Sequence, residues 1–522
     1  MSKGKMKGKT NESRETKRTY IWLEYFRISK DVKTGNDVVE RKKCKHVLFA
    51  KANAGTSHLR RHAEKHLKDM QNSTTQTQLS DSGFTSHRKI ERSEIVRQPL
   101  IDELSTLKCK IALTSDVWTP RHNNEHRYVC ITAHWIDDNW VLQKRITSFR
   151  TCEFPHTGSQ LYLHIIGILN DYNIVRKIST ICFDNATNNT ASVKLLPRHI
   201  KPPLDGKLFH VKCACHIFNL CVHDCLKVLS PSISKVRNSN CVKHMVLNLR
   251  GQLMMMILDD WAIAARIKDM LEPWYKTTLN CSGMLYPTSN MLPIELWQLS
   301  QSIANYRKDK AFGIEVVEME DKYIKYYEDI QLLSLLAVVI DPRVKLTKLQ
   351  TLLKGYYTHM CSESSPSKVA GTAMRKYEKV EKILYSLYEE YYKVFGTNIS
   401  ISSSNQSSSK KIRKSTWSLL EEDDVHSSGT NELVRYLEFR SYHNTPEEYE
   451  SLDILKWWHE NAYYYPVVSM MARDILNTPV STVALEAAFS AGGKILTAER
   501  NRLSPRNVEV LVCTQDWIEA EL

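Results

Sequence analysis

The stretch 111–149, IALTSDVWTPRHNNEHRYVCITAHWIDDNWVLQKRITSF, decides the fold. IALTSD (111–116) is a short apolar run that ends in an acid. HRYVCITAHWI (126–136) is long, β-branched and aromatic. Asp137, Asp138 and Asn139 supply a turn, and WVLQKRITSF (140–149) is a third run of the same kind. Three such runs joined by polar turns predict a β-meander.

Downstream the period changes. Leu161, Ile165, Ile168 and Leu169 share one face of a helix over 158–170. ISTICFD (178–184) is a further strand ending in an acid, and NNTASVKLLPRH continues as a helix. KLFHVKC (207–213) reads as a strand and HIFNLCVHDCLKVL (216–229) as a helix. A meander, a helix and another strand predict an α/β domain of ribonuclease H-like arrangement. In a sheet of order 3-2-1-4, the strands ending in Asp116 and Asp184 are neighbours, so both carboxylates meet at one edge. With Glu486 from a later helix, such a group can hold two divalent ions about 4 Å apart for phosphoryl transfer. Mg²⁺ or Mn²⁺ suits an oxygen-rich site of this kind. An aspartate at a strand end is, by itself, more often a turn or cap residue.

The 522 residues are 42% hydrophobic and 25% charged, enough to build several cores. There is no apolar run long enough to span a bilayer. MSKGKMKGKT at the start lacks the apolar stretch of a secretory signal. The 13 cysteines are therefore expected as reduced thiols. Net charge is +14, and residues 1–70 hold 19 Lys+Arg against 8 Asp+Glu. A basic head on a nearly neutral body predicts a polyanion partner, nucleic acid first, and a nuclear location. A solvated tail or import patch is the plainer alternative. Dinucleotide-binding, Walker, nucleophile-elbow and kinase signatures are missing, which argues against nucleotide-dependent and acyl-transfer enzymes. Nothing suggests a small-molecule substrate or a membrane partner.

Three further groups carry possible chemistry. His62 and His66 lie at i,i+4, a zinc half-site, with Cys44 upstream. Val47 stands where a second cysteine is expected, so a zinc finger here is degenerate. Lys42, Lys43, Lys45, Arg60 and Arg61 surround it as candidate DNA contacts. Cys213-Ala-Cys-His216 marks a strand-to-helix junction, where the cysteines can equally be small core residues. Near the C-terminus, Trp457, Trp458, Tyr465 and Phe489 belong to an unusually apolar region, either core or a subunit interface.

Taken together, these blocks resemble the hAT superfamily of DNA transposases, and more closely the plant BED-zinc-finger proteins of the DAYSLEEPER and RICESLEEPER type. The resemblance is carried by CKHV…GTSHLRRHAEKH (44–66), the block 113–149, ICFDNATNN (181–189), FHVKCACHIFNL (209–220), LYPTSNMLPIELWQL (285–299), AVVIDPRVKL (337–346) and the long block 452–496. It implies an acidic triad of Asp116, Asp184 and Glu486, with Cys213 and His216 beside it, and a C-terminal dimerisation region. It implies this layout: a basic tail (1–17), a degenerate BED zinc finger (18–70), a linker (71–104) and the first part of a ribonuclease H-like core (105–249). A helical insertion (250–396), a Ser-rich insert (397–430) and the dimerisation region with the last core helix (431–522) follow. The chain departs from the family pattern at Val47, in the short stretch before Asp116, in lacking an Arg-Trp-Asn-Ser block, and at Leu485 and Ala487 beside Glu486. The expectation is a transposase-derived, homodimeric nuclear DNA-binding protein without productive transposition. The alternatives are an active Asp-Asp-Glu nuclease and a remnant that only self-associates.

Overall fold

The computed structural model describes residues 25–30, 37–41, 47–50, 96–121, 126–152, 157–245, 252–308, 313–360, 365–396, 432–439, 451–497 and 503–521. The chain divides into two compact units, 1–89 and 90–522. In the first unit, β1 (Tyr25–Lys30), β2 (Asp37–Arg41) and β3 (Val47–Ala50) form an antiparallel sheet in sequence order. Val47 opens β3 and pairs with Glu40. Cys44, His62, His66, Lys42, Lys43, Lys45, Arg60 and Arg61 lie outside the described residues.

The second unit is built on a five-stranded sheet. Its strands are β4 (Ile111–Trp118), β5 (Arg127–Ile136), β6 (Leu142–Cys152), β7 (Ile178–Phe183) and β8 (His210–Lys212). Their order is β6-β5-β4-β7-β8: β4 to β6 form the antiparallel meander, and β7 and β8 add in parallel. This is the ribonuclease H-like order expected, extended by a fifth strand. β5 is buried along nearly its whole length, as a central strand covered on both faces must be.

Helices cover both faces and both edges. A helix at 96–106 (α1) occupies the end of the stretch expected as linker, and it buries Leu100 and Leu104. α2 (Gly158–Asp171) packs on β6, and α3 (Thr187–Leu195) follows β7. Edge strand β6 is closed by the last helix, α15 (Pro505–Glu521). There Asp516 accepts from the Ile146 N–H at 2.6 Å and from Lys144 Nζ at 2.7 Å, while Trp517 Nε1 donates to the Ile146 carbonyl at 2.7 Å. At the other edge, the Gln331 side chain exchanges hydrogen bonds with the Lys212 backbone. Neither edge is left as an open pairing template.

Between β8 and the C-terminal region runs a block of helices: α4 (Ala214–Met245), α5 (Gln252–Cys281), α6 (Leu292–Arg307), α7 (Gly313–Tyr327), α8 (Leu332–Ile340), α9 (Lys345–Met360) and α10 (Pro366–Tyr391). Pro293 and Pro366 sit in first turns, where the missing N–H costs nothing. Pro273 lies inside α5, which runs through it. The C-terminal helices are α11 (Glu432–Glu438), α12 (Ile454–Asn461), α13 (Pro466–Leu476), α14 (Val483–Ile495) and α15.

Two hydrophobic cores result. One gathers α4–α13 and ends at Val480; the other lies on the sheet and takes up Leu485 onward. They are joined at the start of β4. Buried Asp474 accepts from the Lys110 N–H at 2.7 Å and the Tyr391 hydroxyl at 2.5 Å. Asn477 Nδ2 donates to the Lys110 carbonyl, and Arg473 donates to the Ile136 carbonyl. No helix among the described residues is long and apolar enough to cross a membrane. Ten of the described cysteines are free thiols.

Candidate active site

β4 and β7 run parallel, with Thr114 opposite Cys182 and Ser115 opposite Phe183. The next residue of each strand is an aspartate, so Asp116 and Asp184 emerge side by side. Alternation then aims both the same way. Glu486 lies exposed in the first turn of α14, and α14 packs on β4 and β5. Its charge reaches Asp116. Burial, then the Asp184 charge, then Glu486 push the Asp116 carboxyl up to about 7, against the pull of the Val117 N–H. Asp184 and Glu486 both act electrostatically on Asp116.

The carboxylate oxygens have protein partners. Val117 N–H donates to Asp116 Oδ1 at 2.7 Å. Asp184 Oδ1 accepts from the Ala186 N–H at 3.1 Å and from Asn189 Nδ2. Asn189 was not singled out from sequence; its position in the first turn of the helix after a strand-end acid was the available signal.

An oxygen-only donor set is what a hard divalent cation takes. Among the described residues, however, no three His, Cys, Asp or Glu side chains are grouped so as to hold an ion. The acids form a pair with a third charge nearby rather than a closed ligand set.

Aromatic packing sets the distance between β4 and α14. Trp118 stacks on Phe489 with centroids 6.0 Å apart and planes 10° apart, and both lie against Phe149. A Cβ on Gly492 would come within 3.0 Å of Phe149 and 3.1 Å of Trp118, so any side chain there must push these rings aside. Phe489, expected at a dimer interface, instead holds the helix of Glu486 to the strand of Asp116.

Cys213 fixes the same helix from the other side. The His216 N–H donates to its sulfur at 3.4 Å, which makes Cys213 the N-cap of α4. The N–H and hydroxyl of Thr482 both donate to that sulfur at 3.3 Å. Cys213 also extends the ladder, its N–H donating to the Phe183 carbonyl at 2.8 Å. One buried thiol therefore ties β7, α4 and the residue before α14 together. His216 is partly buried one turn into α4.

The remaining interface candidates are core residues. Trp457, Trp458 and Tyr465 are 6%, 0% and 8% exposed. Trp458 donates to the Ile340 carbonyl at 3.2 Å and lies parallel to Trp140, while Trp457 and Tyr465 pack around Tyr436. This corrects their assignment to a subunit surface: α8 and α11 of the same chain cover α12. The neighbours Tyr463 and Tyr464 are the outward pair, 88% and 47% exposed.

Comparison with known proteins agrees with this architecture. Residues 114–208 match the ZBED1 RNase-like domain, 290–391 the hAT-like transposase, RNase-H fold, and 432–518 the hAT family C-terminal dimerisation region. Three segments of the chain thus match models from the hAT family or its RNase-like domains. The chain's curated relatives include a putative AC transposase of Zea mays, 27% identical over 500 residues that cover 81% of this chain and 58% of the relative. Zinc finger BED domain-containing protein DAYSLEEPER of Arabidopsis thaliana is 24% identical over 81% of this chain and 66% of its own length. RICESLEEPER 4 of Oryza sativa subsp. japonica is 24% identical over 97% of this chain and 92% of its own length. The chain thus spans less than two thirds of the length of the AC transposase relative. The 290–391 match falls on α6–α10, within the helical block and not on the sheet.

Proposed function

We propose that this chain is a hAT transposase-derived nuclear DNA-binding protein that acts as a homodimer and does not carry out productive transposition. The observation that carries the reading is the charge distribution: a head of 70 residues with 19 basic and 8 acidic side chains, on a body that is nearly neutral. Cations grouped in this way bind DNA by displacing its counterions. The relatives' names point the same way, being BED zinc-finger proteins and transposases. Zinc at Cys44, His62 and His66 belongs to this proposal, as do DNA contacts from Lys42, Lys43, Lys45, Arg60 and Arg61.

Dimerisation is assigned to the outer face of the 432–518 region, with Tyr463 and Tyr464 replacing the buried tryptophans as contact residues. The test is duplex binding by the full chain across a salt series, with its mass in solution measured alongside. Salt-steep binding by a dimer supports the reading; salt-independent binding, or a monomer at working concentration, contradicts it.

A second reading is favoured by one observation. Asp116 and Asp184 sit side by side at adjoining strand ends with the Glu486 charge in reach, the placement an active strand-cleaving enzyme of this fold needs. Metal-dependent cleavage that is lost in Asp184→Asn would establish it.

A further inference from the structure

A group of basic side chains gathers at the end of the sheet opposite the carboxylates. β4 starts just after Lys108 and Lys110, and β7 just after Arg176. α3 leaves Asp184 and runs back to this end, followed by Arg198, Lys201 and Lys207. These pieces touch. Lys110 Nζ donates to the Arg176 carbonyl at 3.0 Å, and the one-turn helix Pro197–Ile200 packs on Val175–Lys177. Gly206, at φ +81°, lies so close that an added Cβ would meet Pro197 at 3.3 Å, which brings the loop with Lys201 and Lys207 onto the same rim.

Lys108, Arg176, Arg198, Lys201 and Lys207 are exposed, and Lys110 is partly so. None of the six forms an ion pair with a described residue. Acids share this end: Asp102 and Glu103 lie near the end of α1, and Asp137 and Asp138 follow β5, with Asp138 paired to Arg473. Asp205 is a single exposed carboxylate; Glu390 accepts from the Leu204 N–H; Asp474 is buried with its oxygens engaged. Left-handed backbone at Lys201, Leu204 and Asp205 keeps this loop short and tight.

Unpaired cations on a rigid rim gain most from a partner with regularly spaced anions. The exposed aromatics among the described residues (Tyr275, Tyr286, Tyr392, Phe439, Tyr463 and Tyr464) all lie elsewhere. Single-stranded nucleic acid is gripped by aromatic stacking platforms, which this rim lacks. A duplex backbone fits it better.

We propose that this rim is a second DNA contact, independent of the basic head, which holds the phosphate backbone of duplex DNA without reading sequence. The inference rests on the reading of the chain as a DNA-binding protein and adds a surface to it. It predicts that the body contributes to affinity and that the rim and the carboxylate end act separately.

The test uses the full chain and a short random-sequence duplex, with binding followed between about 50 and 200 mM salt. The variant is Lys108→Gln, Arg176→Gln, Lys201→Gln and Lys207→Gln together; the two paired doubles serve if the fourfold change reduces folding. The expected result is a salt dependence shallower by about 2–4 in log–log slope and a Kd raised on the order of tenfold or more. Lys212→Gln, at the other end of the sheet, leaves both unchanged. A variant that melts like the parent and binds with the same slope and affinity overturns the rim, while the DNA-binding reading stands. A loss seen only with single-stranded RNA overturns the assignment to duplex DNA. If the parent binds no duplex even at low salt, the DNA-binding reading fails first and the rim with it.

Discussion

From Glu432 to Val480 the C-terminal region packs into the helical core; from Leu485 to Trp517 it packs onto the sheet. One family region spans both, yet the two halves use their aromatic side chains differently. In the first half, Trp457, Trp458 and Tyr465 surround Tyr436 and are sealed by the chain's own helices. In the second, Phe489 reaches across to Trp118 and ties the helix of Glu486 to the strand of Asp116. The lesson is that an apolar cluster in a region known for association can be core throughout, with the outward contact left to its neighbours.

The comparison breaks first at Trp458. It is fully buried and hydrogen-bonded, so Trp458→Ala should cost about 3–5 kcal/mol in urea unfolding. Tyr463→Ala, at 88% exposure, should change stability by less than about 0.5 kcal/mol while weakening self-association in sedimentation. Equal, small stability losses at the two positions would mean that Trp458 is not core.

The second half is tested by pH. The Asp116 carboxyl is held at about 7 in the folded chain, above its usual 3.8. A raised acid favours the folded state fully below pH 4, and that contribution is lost as pH rises through 7. Asp116→Asn removes the buried charge. The variant should therefore gain stability over the parent progressively from pH 4 to 8, by up to about 4 kcal/mol at the top. A stability difference that is flat with pH would show that the Asp116 carboxyl is not held above its ordinary range in the folded chain.

How much of this could be read in advance differs by element. The meander, β7 and the Asp116–Asp184 pairing were legible, because runs such as HRYVCITAHWI and ISTICFD announce strands and because their order fixes which ends meet. The burial of Trp457 and Trp458 was not. Two adjacent helical residues point about 100° apart, and sequence does not say that α8 and α11 cover both directions. The role of Cys213 was hidden for a similar reason: its sulfur accepts from Thr482, which is far away in the chain.

Smaller effects sharpen the seam between the halves. Gly492→Val drives a side chain into Phe149 and Trp118, and should cost about 1–3 kcal/mol. By displacing α14 it should also bring the Asp116 titration down toward the ordinary carboxylate range, read by NMR. Cys213→Ala removes a helix cap and the Thr482 contacts, with a loss of about 1 kcal/mol by thermal unfolding. A Gly492→Val chain with an unchanged Asp116 titration would show that the Trp118–Phe489 stack does not set that distance.

The most direct measurement is strand cleavage of duplex DNA with short inverted repeats in Mn²⁺, with the parent run beside Asp184→Asn. The account predicts binding without cleavage by either protein, each shown to be folded and dimeric. Cleavage by the parent that disappears in Asp184→Asn would contradict it, and would make the strand-end acids a working active site.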